Sequence, residues 1–141
     1  MAKELSERLQ AIVDALPIRP GMRILEIGCG PGTAARAIAR RIEGGCVVGI
    51  DRSARAITLA QKASASEMAA GRLVFRHVAV EEFTLRDGEL PFDLAFAVRV
   101  GALDGRHPEA GRRAIRRIAA ALAPGGRLFV DGGDPLREIH F

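Results

Sequence analysis

The apolar positions of this chain follow two different spacings. Five short runs are nearly continuous, as in strands buried on both faces, and between them the apolar residues recur at helical spacing. Leu5, Leu9, Ile12, Val13 and Leu16, for example, share one face of a helix predicted over 6–16. The predicted strands are 23–27, 46–51, 73–78, 92–98 and 127–131, and the other predicted helices are 33–42, 53 to about 70, and 108–122.

This alternation of strands and helices predicts an α/β fold. Strands that are apolar on both faces need helices on both sides, which gives a three-layer sandwich around a mainly parallel sheet of about five strands. No repeat or linker divides the sequence, so we expect residues 1–141 to form a single domain. Right-handed crossovers place the carboxyl ends of the strands along one edge, where such sheets bind ligands.

Composition narrows the class of protein further. The chain has 141 residues, of which 48% are apolar, and this suits a folded core rather than disorder. No apolar run approaches the ~20 residues of a membrane-spanning helix, and the N-terminus is too charged for a signal peptide, so we expect a cytoplasmic protein without membrane contact. Cys29 and Cys46 lack metal-site spacing and are expected to be reduced, structural thiols.

The net charge of +4 comes mainly from arginine and allows two interpretations. A basic surface could attract nucleic acid, but a chain without Trp or Tyr has few rings to stack on bases. We therefore interpret the arginines, including Arg36, as the outer faces of helices, and we do not expect a nucleic-acid partner.

The strongest chemical signal lies in residues 24–33, Ile-Leu-Glu-Ile-Gly-Cys-Gly-Pro-Gly-Thr. An apolar strand runs into three alternate glycines, and a helix follows. Such a turn leaves backbone N–H groups free, and glycine lets a ligand approach them closely. The spacing is Gly-x-Gly-x-Gly rather than the Gly-x-Gly-x-x-Gly of dinucleotide-binding folds, which disfavours a nicotinamide-dependent oxidoreductase.

Two carboxylates flank this turn. Asp51 ends the second predicted strand, where it can accept hydrogen bonds from ribose hydroxyls or, alternatively, cap the following helix. Glu26 precedes the glycines and would repel a pyrophosphate, while suiting a ligand that carries an ammonium or sulfonium group. The alternative for Glu26 is a buried carboxylate that accepts hydrogen bonds from backbone N–H groups.

These motifs resemble those of the class I S-adenosylmethionine-dependent methyltransferases. The matching segments, in the family's order within about residues 20–131, are the glycine turn 26–32, the second motif 47–53, the fourth strand 92–97 and the turn 122–128. The resemblance implies a Rossmann-like fold, S-adenosylmethionine as the cofactor, S-adenosylhomocysteine as its product, and methyl transfer to a small-molecule acceptor. A cofactor-binding domain that is inactive alone, or acts with a partner chain, is the alternative.

The resemblance also implies which residues bind the cofactor. The glycine turn would follow its methionine part, with Glu26 near the amino group, and Asp51 and Arg52 would lie at the ribose and adenine. The family's acidic residue near the adenine is replaced by Ala79, so that contact is missing or is made by Glu81. The complete predicted set is Glu26, Gly28, Cys29, Gly30, Gly32, Asp51, Arg52, Val80, Glu81 and Val98, with no metal ligand.

The C-terminal part departs from the family pattern. Family members usually continue past the fifth strand with a helix and an antiparallel strand pair, whereas this sequence ends at Phe141. We therefore predict a sheet that lacks this pair and ends at strand 127–131 with an unpaired edge. The C-terminal tail, or a second subunit in a homodimer, is expected to cover that edge because open apolar edges associate.

No catalytic residue can be assigned from the sequence. Methyl transfer mainly requires alignment and exclusion of water, and only some acceptors need a base. The Asn-Pro-Pro-Tyr-type loop of amino-group methyltransferases is absent after the fourth strand, which disfavours nucleobase or glutamine amine acceptors. For His107 the alternative to a catalytic role is a surface position at the start of a helix. For Asp131 and Asp134 the alternative is formation of a turn. The candidates are Arg99, Asp104, His107, Asp131, Asp134 and His140.

Overall fold

Six strands form one sheet in the computed structural model, which describes residues 5–141. The strands are β1 Arg23–Ile27, β2 Cys46–Asp51, β3 Leu73–His77, β4 Phe92–Ala97, β5 Leu122–Asp131 and β6 Leu136–Ile139. The helices are α1 Glu7–Ala15, α2 Thr33–Arg41, α3 Ala54–Ala63, α4 Ala65–Ala69 and α5 Pro108–Ala121, with short 3₁₀ turns at Val80–Glu82 and Gly101–Leu103. Within the described residues, no helix is both long and apolar enough to cross a membrane.

The strand order is β3-β2-β1-β4-β5-β6. Strands β1 to β5 are parallel, and only β6 runs antiparallel to its neighbour β5. The chain thus winds outward from β1 in one direction and from β4 in the other. The strand order reverses between these two strands, which is where open α/β sheets form a ligand crevice. The predicted Rossmann-like α/β fold is confirmed.

The core has two halves, one on each face of the sheet. Because side chains alternate along a strand, neighbouring residues of β1 enter opposite halves. Ile24 packs in the half that contains Ile38 of α2, and Leu25 packs in the half that contains Ile118 of α5. All four side chains are fully buried. This burial on both sides explains why the strands read as continuous apolar runs.

The far edge of the sheet differs from the prediction. Strand β5 is not left unpaired, because Leu128 to Asp131 pair with β6. The expectation of an open edge at β5 is therefore wrong, and the proposal that the C-terminal tail covers it is confirmed. Strand β6 is itself short and carries the charged residues Arg137 and Glu138, which are features that protect an edge strand from association.

The helix predicted from 53 to about 70 is divided into α3 and α4. The division falls at Ser64, whose side chain is fully buried and accepts a hydrogen bond from Nη1 of Arg36 at 3.1 Å. The φ of −116° at Ser64 is outside the helical range. Helical spacing alone does not reveal this break, because its cause lies on α2.

Strand β5 begins five residues before the predicted strand 127–131. Leu122 pairs with Phe92, and the register then shifts so that Arg127 pairs with Leu94. Residues 123–126 are therefore accommodated within the strand as a bulge, and they include the turn predicted at 124–126. The other predicted boundaries agree to within one residue, and Ser6 caps α1 by accepting a hydrogen bond from the Leu9 N–H.

Removal of residues 134–141 should leave the outer edge of β5 unpaired and promote self-association. We expect this truncated protein to form larger species in light scattering and to melt several degrees below the full chain. Removal of only residues 140–141 leaves β6 intact and serves as the control. If both truncated proteins behave like the full chain, the covering role of β6 is wrong.

Candidate active site

A cleft of about 490 Å³ opens where the strand order reverses. Its walls come from the ends of β1 and β2, the segment after β3, the loop after β4, and the start of α5. The lining residues are 27–28, 50–52, 78–81, 99–102, 107 and 110. Segments far apart in sequence thus meet around one small-molecule-sized space.

A turn of three glycines with left-handed backbone conformation begins at the cleft, which Gly28 lines. The φ angles of Gly28, Gly30 and Gly32 are +67°, +54° and +82°. A Cβ atom at Gly28 would lie 2.7 Å from Cγ2 of Val100, so only glycine allows the loop after β4 to approach the turn. A Cβ atom at Gly32 would instead lie 2.8 Å from the ring of Phe75, so this glycine serves the packing of α2 against the sheet.

Asp51 connects the end of β2 to the glycine turn. Its Oδ2 accepts a hydrogen bond from the Gly30 N–H at 2.8 Å, and its Oδ1 accepts one from the Ser53 N–H at 2.9 Å. The cap of α3 is Ser53, which accepts from the Ala56 N–H. The alternative that Asp51 itself caps this helix is therefore replaced by a different local role, in which Asp51 holds the turn.

Arg36 supports the same turn from inside the protein. Its guanidinium donates hydrogen bonds to the Pro31 carbonyl oxygen at 2.7 Å and to Ser64 Oγ. The residue is 3% exposed, and burial lowers its pKa. The interpretation that all these arginines coat outer helix faces is therefore wrong for Arg36, which satisfies buried oxygens instead.

Glu26 lies buried beneath the glycine turn. It is 4% exposed, and among the described residues its Oε1 has no hydrogen-bond partner. Burial and the nearby charge of Asp51 raise its pKa to about 8, although the Ala35 N–H and the Arg36 guanidinium oppose the shift. Glu26 is therefore buried, as the second expectation has it, and one of its carboxyl oxygens lacks a hydrogen-bond partner within residues 5–141.

The predicted cofactor residues fall into two groups. One group lines the cleft: Gly28, Asp51, Arg52, Val80 and Glu81. The other group lies beside or beneath it: Glu26, Cys29, Gly30, Gly32 and Val98. Cys29 and Val98 pack in the half of the core next to α2, so their side chains point away from a ligand in the cleft.

The loop after β4 contributes more of the wall than the sequence suggested. Val100, Gly101 and Ala102 line the cleft and were not predicted. Arg99 and His107 were candidates on the acceptor side, and the structure places both on the wall. The residue types of Val100, Gly101 and Ala102 do not indicate a binding role. The signal that could have identified them is their position just after β4, next to the point where the strand order reverses.

Two of the three predicted acidic candidates, Asp104 and Asp131, are already engaged by neighbouring groups. Asp104 pairs with the Arg106 guanidinium at 2.6 Å, and the N–H and guanidinium of Arg106 lower its pKa. Asp131 accepts hydrogen bonds from Nη2 of Arg8 at 2.9 Å and from the Arg99 N–H at 3.1 Å. The last two candidates, Asp134 and His140, do not line the cleft.

The two cysteines are free thiols in the structure. Cys29 is buried and Cys46 is half-buried, and burial raises the pKa of both thiols. Both are thus protonated at neutral pH, as expected of structural cysteines. Among residues 5–141, no three His, Cys, Asp or Glu side chains are grouped so as to hold a metal ion.

Known proteins share this fold and these motifs. A family model described as a methyltransferase domain matches residues 24–126. An O-methyltransferase of Aspergillus nomiae is 32% identical over 99% of this chain and 58% of its own length, and a trans-aconitate 2-methyltransferase of Delftia acidovorans is 27% identical over 97% and 47%. The crystal structure of an S-adenosylmethionine-dependent methyltransferase from Geobacter sulfurreducens, in complex with S-adenosyl-L-homocysteine, has a TM-score of 0.69, with 26% identity over 89% of this chain and 47% of that one.

The doubly wound sheet and the glycine turn at its point of reversal define a nucleotide-binding type of α/β domain. Together with the match over more than half of its length, they show that the chain belongs to the class I S-adenosylmethionine-dependent methyltransferases. The resemblance found in the sequence is thereby confirmed. The chain spans about half the length of the curated relatives it matches.

The buried Glu26 carboxyl should give the free energy of unfolding a distinctive pH dependence. Its pKa is about 8 in the folded protein, against an ordinary value of 4.5. Between these values the folded state retains a proton that the unfolded state has lost, so stability falls as pH rises. We expect Glu26→Gln to reduce this slope in urea denaturation measured from about pH 5 to about pH 8.5.

Glu43→Gln is the matched control, because Glu43 is exposed on the surface. We expect this variant to retain the slope of the wild-type protein. An unchanged slope in Glu26→Gln would mean that Glu26 ionises normally in the folded state.

Proposed function

We propose that this chain binds S-adenosylmethionine in the cleft and transfers its methyl group to a small-molecule acceptor. The single observation that carries the proposal is the joining of the glycine turn to Asp51 at the reversal of strand order. Relatives named as O-methyltransferase and trans-aconitate 2-methyltransferase support it. These names also favour catalysis over the alternative of a cofactor-binding domain without activity.

The nucleoside part of the cofactor fits the side of the cleft formed by β2 and the segment after β3. Each carboxylate oxygen of Asp51 accepts one backbone N–H and retains a lone pair that can accept from a ribose hydroxyl. The adenine would lie against residues 78–81, where Val80 begins a 3₁₀ turn. The N–H of a first turn residue has no partner within the turn, so it is available to a ring nitrogen.

The methionine part fits the glycine turn above Glu26. An ammonium group there would offset the burial of the carboxyl and favour its ionised form. When bound, the cofactor supplies a methyl group activated by the sulfonium. The protein's own contribution is alignment and exclusion of water, for which Ile27 and Val100 provide apolar walls.

The homodimer and the cytoplasmic location were predicted from the sequence, and neither follows from the geometry of the cleft. The original reason for a dimer was an open edge at β5, and the chain's own tail now covers that edge. A dimer through the sheet would have to use β6, and sedimentation of the full chain tests this. The cytoplasmic location stays a prediction from the sequence.

Loss of the Asp51 carboxylate should weaken cofactor binding. We expect Asp51→Ala to reduce the affinity for S-adenosylhomocysteine by roughly 10- to 100-fold, because hydrogen bonds to a charged group are lost. Isothermal titration calorimetry measures the change. Asp87→Asn, at an exposed turn away from the cleft, is the control and should bind as the wild type does. Saturable binding that is equal in all three proteins, or absent from the wild type, would contradict the proposal.

Cofactor binding should also release a proton from Glu26. At pH 7 a carboxyl with a pKa of about 8 is mostly protonated, and an approaching ammonium group favours its ionised form. We expect calorimetry in buffers of different ionisation enthalpy to detect release of up to about one more proton in the wild type than in Glu26→Gln. Equal proton release by the two proteins would show that Glu26 does not contact the amino group.

A further inference from the structure

A second pocket adjoins the cofactor cleft. It has a volume of about 420 Å³ and opens at the carboxyl ends of β4 and β5, next to β6. Arg99 and Val100 line both spaces, so the two lie side by side. In the proposed binding mode the adenine lies near β3 and the methionine part lies near β1. The reactive methyl group therefore faces the side of β4, and we call this second space the acceptor pocket.

The wall of the acceptor pocket carries positive charge that residues 5–141 do not neutralise. Asp104 and Asp131 both line it, but each is already engaged, one by Arg106 and the other by Arg8 and the Arg99 N–H. The guanidinium groups of Arg99 and Arg137 form no hydrogen bond or ion pair with any of residues 5–141. Two cationic side chains are thus free to bind an anion that enters the pocket.

The backbone at Arg99 strengthens this interpretation. Its φ is +57°, and the ten other positive φ angles among the described residues all belong to glycines. An arginine in this conformation is strained, and such strain is retained where the surrounding structure holds it in place. Here the Asp131 carboxylate holds the Arg99 N–H. The strained conformation sets Arg99 on the boundary between the cofactor cleft and the acceptor pocket.

We infer that the acceptor is a small dicarboxylic acid, which is held by Arg99 and Arg137 and methylated on a carboxylate oxygen. This inference rests on the proposed methyltransferase function and specifies its substrate class. Arg137 lines only the acceptor pocket of these two spaces, so it binds the carboxylate far from the cofactor. Arg99 lines both spaces and orients the carboxylate that reacts.

The chemistry of a carboxylate acceptor matches the residues present. Its oxygen donates an electron pair to the methyl carbon while the C–S bond breaks and its electrons remain on sulfur. The anionic oxygen and the cationic sulfonium thereby become a neutral methyl ester and a neutral thioether, and no proton is transferred. A carboxylic acid is already ionised at neutral pH, so the reaction needs no general base. The engagement of Asp104 and Asp131 by other groups is thus compatible with catalysis.

Binding to the complex with S-adenosylhomocysteine tests the inference without turnover. The probes are the dicarboxylic acids fumarate and succinate, with succinamide as the uncharged comparator of succinate. We expect the two acids to bind, succinamide not to bind, and Arg137→Gln to weaken acid binding by roughly 10- to 100-fold. Arg137→Lys should recover part of the affinity because it restores the charge but not the planar fork.

Two controls separate a binding role from a structural one. Arg72→Gln removes the same charge at an exposed position before β3, at the opposite end of the strands, and should bind the acids as the wild type does. All variants should bind S-adenosylhomocysteine equally and melt at the wild-type temperature. Absence of S-adenosylhomocysteine binding to the wild type would refute the proposed function itself.

The bond formed in the product gives an independent readout. With labelled S-adenosylmethionine and the same acids, the transferred methyl group should be released as methanol by alkali, as expected of an ester. Catechol and a primary amine serve as competing acceptors, whose methylated products are stable to alkali. The inference is overturned if the cofactor binds but neither acid binds better than succinamide. It is also overturned if Arg137→Gln has no effect, or if only alkali-stable products form.

Discussion

The hydrogen bond between the Gly30 N–H and the Asp51 carboxylate fixes the geometry on which the site depends. It joins the segments that follow β1 and β2, two strands that are neighbours in the sheet. The turn can adopt this shape only because its glycines accept left-handed φ angles. Arg36 completes the arrangement from below by binding the Pro31 carbonyl oxygen. The cleft is therefore preorganised by interactions within the protein before any ligand enters.

The charged side chains around the site differ in burial: the carboxyl is buried, and the arginines of the acceptor pocket are exposed. Glu26 is buried beneath the turn, where desolvation favours its neutral form, and its Oε1 has no hydrogen-bond partner among residues 5–141. Arg99 and Arg137 are exposed on the acceptor side. A buried carboxyl thus responds to a cation that comes close, whereas exposed guanidiniums attract an anion from solution. This arrangement supports the proposal that a cationic cofactor binds on one side of the site and an anionic acceptor on the other.

Predictions from the sequence agree with the structure where short segments determine the outcome, and they fail where contacts between distant segments determine it. Strand β1 and helix α5 were predicted to within one residue, because apolar spacing and a proline in the first turn are local signals. The break at Ser64 was missed, because its cause is the buried guanidinium of Arg36 on another helix. Val98 was expected at the cofactor, but it faces the core, and Val100 takes the place on the wall.

The sequence by itself determined the α/β class, the glycine turn and the position of Asp51 at the end of a strand. These features follow from alternating apolar patterns and from the backbone freedom of glycine, both of which are properties of short segments. Only the tertiary structure decided that β6 covers β5, that Arg36 turns inward and that Arg99 and Arg137 line one pocket. These outcomes depend on contacts between segments distant in sequence, whose relative placement is set by how the whole sheet assembles.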